Sequence, residues 1–175
     1  MPVTTAQLAQ LQDEAAAIGS LRTDRIAIPG TVATYEITRP ADFDALLDSA
    51  AGDPQQNLPY WAELWPSGLA LAAELLLAPT SFDGVRALEL GCGLGVTAIA
   101  ALQRNMSLLV TDYSPESLAL CALNTARNAG RTPVACRVNW REPDAAFLRI
   151  AGDGFPIVLA ADVLYEGRDV GPLRE

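Results

Sequence analysis

The chemistry in this chain is concentrated in nine residues, Leu88–Val96, "LELGCGLGV", where the carboxylate of Glu89 precedes glycines at positions 91, 93 and 95. Gly91, Gly93 and Gly95 let a backbone turn sharply and approach a ligand closely. A loop of this kind between a buried strand and a helix lies at the carboxyl edge of a sheet, where open α/β folds bind ligands. A phosphate group would be repelled by Glu89. The spacing is G-x-G-x-G, with Val96 where a dinucleotide fingerprint needs its last glycine.

A cationic ligand removes the conflict. S-adenosyl-L-methionine carries a positive sulfonium and a positive amino group, and Glu89 can stabilise them directly or through the loop. Asp112 closes the next apolar run, "LLVTDYS", where a carboxylate can accept hydrogen bonds from both hydroxyls of a ribose. After a third run, "VNW" sets Asn139 and Trp140 where an adenine would lie. The amide offers edge pairing and the indole a stacking face. Plainer readings exist for each: a tight turn, a helix cap at Asp112, a core tryptophan.

Composition narrows the alternatives. The chain has 175 residues, half of them hydrophobic, which suits one globular domain with a real core. A net charge of −9 opposes sequence-independent nucleic-acid binding, which needs clustered Lys and Arg. With no histidine, a Ser-His-Asp hydrolase, a Cys-His protease and a His-ligated metal are excluded. Cys92, Cys121 and Cys136 form no C-x-x-C pair, so no metal site is expected, and their apolar contexts point to a cytoplasmic protein. The N-terminus lacks the pattern of a secretory signal. The most apolar stretch, Trp65–Ala78, is too short and too interrupted to span a membrane.

The elements that position these residues follow from periodicity. Residues 1–58 read as an N-terminal attachment: a helix over Thr4–Ile18, a strand pair around Pro29-Gly30, a short helix over Ala41–Ala50, and a loop. Residues 59–175 alternate. Helix Pro66–Leu77 leads to strand Val85–Leu90, helix Val96–Gln103 and strand Leu108–Thr111. A helix capped by Ser114 then runs to about Asn128, followed by strands Val134–Val138 and Ile157–Ala161. That order predicts an α/β, doubly wound, mostly parallel Rossmann-like sheet covered on both faces.

The acidic strand end, the glycine loop, Asp112 and Asn139-Trp140 together resemble the seven-strand class I S-adenosylmethionine-dependent methyltransferases. "PYWAELWPSGLALA" and "ADVLY" narrow the resemblance to the protein-lysine methyltransferase branch, which includes enzymes acting on chaperones and on the electron-transfer flavoprotein β subunit. The resemblance covers roughly Pro59 to Glu166. It implies S-adenosyl-L-methionine as cofactor, with Trp65, Cys92, Tyr113 and Ala161 beside it. It further implies Asp162 and Tyr165 facing a methyl-accepting amine, on a protein lysine or a small nicotinamide-like molecule. No nucleic-acid or membrane partner is implied.

Such relatives have strand order 3-2-1-4-5-7-6, whereas this chain ends just after its fourth strand, so the sheet is expected to be C-terminally incomplete. The apolar run "FPIVLAADVL" would then be an edge, which invites self-association through that strand. A non-catalytic cofactor-binding or interaction module and a nucleotide-dependent oxidoreductase are the competing readings.

Overall fold

A computed structural model of the chain describes residues 2–50, 58–164 and 167–171. Helix α1 (Thr5–Ala16) starts with a reciprocal cap between Thr4 and Gln7. Strands β1 (Leu21–Ala27) and β2 (Thr34–Pro40) pair antiparallel from Leu21↔Pro40 to Ala27↔Thr34, with the Pro29-Gly30 turn between them as expected. A short helix α2 (Phe43–Ala50) follows. Most of the loop read after it, 51–57, lies outside the described residues.

A 3-10 turn at Tyr60–Ala62 precedes α3 (Pro66–Leu77), whose Pro66 fills the first helical turn, where no amide donor is needed. Then come β3 (Arg86–Leu90), α4 (Val96–Gln103), β4 (Ser107–Asp112) and α5 (Pro115–Ala129). The Ser114 hydroxyl accepts from the Ser117 amide at the start of α5, and Gly130, with φ +67°, ends it. Strand β5 (Val134–Arg137), helix α6 (Ala145–Ala151), strand β6 (Ile157–Ala160) and the short α7 (Gly167–Val170) complete the described chain. The 3-10 turn, α6 and α7 were not expected. Asp144 caps α6 through the Phe147 amide, a signal present in the sequence but passed over.

Strands β5-β4-β3-β6 form a parallel sheet in that order. Counted within the sheet this is 3-2-1-4, the first part of the expected order. Coverage on both faces holds only for the inner strands. Val134, Leu109, Leu88 and Val158 lie side by side across one face, yet the inner two are buried while the outer two are 62% and 53% exposed. The opposite face carries Ala87, Leu108, Val110 and Leu159, which pack into one core with α4, buried from Val96 to Leu102. Helix α6 buries none of its residues, so it does not close the first face over β5 and β6.

The N-terminal elements are fastened to α5. Asn124 and Asn128, one turn apart, meet alternate residues on the free edge of β2. Asn124 accepts from the Thr38 amide (2.8 Å) and donates to the carbonyls of Thr38 (3.0 Å) and Leu94 (2.9 Å). Asn128 repeats the pattern on Glu36, accepting at 2.8 Å and donating at 2.9 Å. Two side-chain amides thus stand in for a neighbouring strand. Asn124 is completely buried, so Asn124→Ala orphans three backbone groups and is expected to cost about 3 kcal/mol. A fall in the urea midpoint at unchanged slope checks it.

Candidate functional site

The carboxyl ends of β3, β4 and β6 open into a cavity of about 390 Å³. The glycine loop forms its floor. Gly91 has φ +64°, and a β-carbon there would come within 3.1 Å of Val163 Cγ1 and 3.3 Å of the Trp140 ring. Gly91 therefore lets the indole of Trp140 and the side chain of Val163 close onto the backbone as an apolar wall. Gly93 also lines the cavity, under the carbonyl of Trp61.

Gly95, read from sequence as a ligand residue, is not among the cavity's lining residues. It enters α4 with φ +80°, and a β-carbon there would sit 2.8 Å from Cys121 Sγ and 3.1 Å from Cys121 Cα. Its role is close packing of the loop on α5. Asn139 departs from its expected place too. It is exposed, with its amide oxygen accepting from Arg141 N–H (3.2 Å) to make a turn, while the adjacent Trp140 faces the cavity. Both residues follow the end of β5, and the turn that Asn139 closes with Arg141 leaves its side chain outside the cavity that Trp140 lines. Tyr165 lies outside the described residues.

Four carboxylates line the cavity, from Glu63, Glu89, Asp112 and Asp162, and among the described residues no Arg or Lys does. Glu89 is 4% exposed, and its Oε2 has no hydrogen-bond partner among the described residues. Burial, and then the Asp112 charge, hold its carboxyl well above the usual glutamate range. Asp112 is tied to the chain instead. Its Oδ2 accepts from the Gly93 amide (3.0 Å) and the Ser117 hydroxyl (2.7 Å), and its Oδ1 from the Ser114 amide (3.1 Å). Burial raises its pKa, and these bonds oppose the rise. The sequence points Asp112 to a ribose, with a helix cap as the plainer reading; in the fold it clamps the glycine loop to the start of α5. Ser117, five residues on, was the overlooked signal.

Asp162, directly after Ala161 on the cavity rim, adopts a left-handed φ of +53° and accepts a hydrogen bond from the Ser67 hydroxyl at the start of α3. Asp tolerates this region better than most residues. Cys92 lines the cavity with its thiol pushed well up, by its neighbour Cys121 first and by burial second, which keeps it neutral and a poor nucleophile.

The remaining wall is a strap from Leu58 to Trp65. The Tyr113 hydroxyl donates to the Leu58 carbonyl (2.7 Å), and Trp65 Nε1 donates to the Tyr60 carbonyl (2.8 Å). Trp65 stands edge-on to Tyr60 at 6.0 Å. Tyr60, Trp61, Glu63 and Leu64 line the cavity with Trp65, though only Trp65 was singled out from sequence. The expected residues Trp65, Glu89, Gly91, Cys92, Gly93, Asp112, Tyr113, Trp140, Ala161 and Asp162 are thus gathered around one space.

A family model described as "Lysine methyltransferase" matches residues 58–175. The chain belongs to this family. The match starts at the strap, leaving α1, β1 and β2 outside it. The electron transfer flavoprotein beta subunit lysine methyltransferase of Danio rerio is 34% identical over 109 residues, covering 62% of this chain and 40% of that protein. The Xenopus laevis protein of the same name is 38% identical over 110 residues, with 61% and 44% covered. A ubiquinone biosynthesis O-methyltransferase of Azorhizobium caulinodans is 28% identical over 147 residues, covering 79% of this chain and 55% of that protein. The chain thus spans less than half the length of the two lysine methyltransferases.

Proposed function

We propose that the cavity binds S-adenosyl-L-methionine and that the protein transfers its methyl group to a lysine amine on another protein. One observation carries the cofactor reading. Among the described residues, a buried Glu89 oxygen without a hydrogen-bond partner faces a cavity whose lining includes no cation. An isolated buried carboxylate is costly, and a cationic guest relieves that cost. The family membership supports a lysine acceptor.

The bound cofactor supplies an electrophilic methyl on a sulfonium. The chain's own residues hold and align. Glu89 offers negative charge at the loop, and Trp140 with Val163 gives a flat apolar surface. Asp112 keeps Gly93 in place and presents what acceptor capacity remains to a ribose hydroxyl. Asp162 accepts an N–H of the incoming amine and so fixes where its lone pair points. A carboxylate also favours the protonated amine, whose free pKa is about 10.4. Loss of water around the amine must therefore lower that pKa. The apolar wall and the indoles of the strap exclude that water.

Incubating the purified chain with methyl-labelled cofactor and a cell lysate tests the reading. Label on protein lysines supports it. Label on small molecules moves the activity to a small acceptor, and no label at all overturns catalysis by this chain. The 175 residues contain no lysine, so the chain's own band gives no lysine background. Asp162→Ala is expected to leave cofactor affinity within about twofold while lowering turnover about 10²-fold, the scale set by misalignment of reacting groups. Single-turnover rates beside calorimetric titration separate the two, and a matching loss of affinity would remove Asp162 from the acceptor side.

A further inference from the structure

The hairpin β1–β2 lies outside the family match, yet it reaches the cavity wall. Arg39, near the end of β2, has a side chain only 12% exposed. Its guanidinium joins Asp24 Oδ2 of β1 (2.9 Å) to Glu63 Oε2 of the strap (2.6 Å). Glu63 stands between the 3-10 turn and α3 and lines the cavity. The rigid antiparallel pair holds one side of this bridge, and Asn124 fastens that pair to α5 and, through Leu94, to the glycine loop.

A planar, permanently charged fork suits such a bridge, since one guanidinium can satisfy two carboxylates at fixed angles. Without it, Glu63 would be a further unneutralised charge on a wall already carrying Glu89, Asp112 and Asp162. The strap would also lose this tie to the hairpin.

We propose that Arg39 is a positioning residue for the cofactor cavity: the N-terminal hairpin uses it to fix Glu63, and with it the strap, in the binding-ready place. This rests on the reading of the cavity as a cofactor site. A double-mutant cycle of Arg39→Gln and Glu63→Gln, with affinity for S-adenosyl-L-homocysteine measured by calorimetry, tests it. Arg39→Gln is expected to weaken binding about fivefold in the native background and to have no effect once Glu63 is Gln. Arg22→Gln removes the outer, half-exposed partner of the same Asp24 oxygen, leaves the Arg39–Glu63 contact in place, and serves as the control, with affinity unchanged.

A second readout is independent of ligand. Trp61 and Trp65 sit on the strap, so Arg39→Gln should shift the tryptophan emission of the free protein to longer wavelength while Arg22→Gln does not. Native affinity and native emission in Arg39→Gln would overturn the proposal. So would an equal loss in both Glu63 backgrounds, because Arg39 would then act through the hairpin's stability alone. If the unaltered protein does not take up the ligand, the cofactor reading fails, and the emission shift still decides whether Arg39 places the strap.

Discussion

Glu89→Gln is expected to give a protein that melts higher and holds its cofactor less well. The carboxylate is buried at 4% exposure with one oxygen unpartnered among the described residues, so its charged form is disfavoured in the fold. Removing that charge should stabilise the free protein by about 2 kcal/mol, which at this chain length is about 6 °C in Tm. Binding of a sulfonium should weaken about 10- to 100-fold, the scale of a lost charge-assisted contact. The same carboxyl gives both effects a pH dependence. Its pKa is raised in the fold by burial and by Asp112. Between its ordinary value and that raised value the folded state holds more protons than the unfolded chain. The Glu89 contribution to stability is therefore full below the ordinary glutamate range and is lost as pH rises through the folded pKa. Cofactor affinity runs the other way, rising with pH as the carboxylate ionises. Melting curves and titrations across pH, on native protein and Glu89→Gln, measure both. A variant with lower Tm and native affinity would mean that Glu89 is structural.

Gly95→Ala should be the most damaging single change in the loop. The residue sits at φ +80°, where a side chain costs about 1 kcal/mol, and its new methyl would press on the Cys121 backbone and sulfur. Overpacking against a helix adds about 2 kcal/mol, for a total of about 3 kcal/mol and roughly 8 °C in Tm. Cys121→Ala in the same chain removes the nearest contact, at 2.8 Å, and should restore part of the loss. Thermal denaturation of the single and double variants checks this. Native stability with lost cofactor binding would instead return Gly95 to the ligand.

The boundaries of α3 and α4 were legible because Pro66 and the glycines punctuate them, and the inner strands because buried parallel strands are continuously apolar. Asp112 and Trp140 stand at the cavity because the ends of strands fix where a residue stands. Asn139 stands outside its lining, because position alone leaves open which of two neighbours faces inward. The partners of these residues left no trace. Asn124 reaches Thr38 across 86 residues, and Ser67 reaches Asp162 across 95. Side-chain contacts at such separation follow no period. The sequence signals of Gly95 and Gly91 are likewise the same, although one touches a helix and the other the cavity wall. Only the three-dimensional neighbours distinguish them.

All three tryptophans of the chain, Trp61, Trp65 and Trp140, line the same cavity. The tryptophan signal of the protein is thus confined to the lining of that cavity, two of the three rings on the strap, away from the core between α4 and the sheet. A fluorescence melting curve will follow the loosening of that lining, whereas far-ultraviolet circular dichroism follows the helices as a whole. Coincidence of the two transitions would mark the strap as part of the cooperative unit, and an earlier fluorescence transition would mark it as a locally opening segment with its own lower stability.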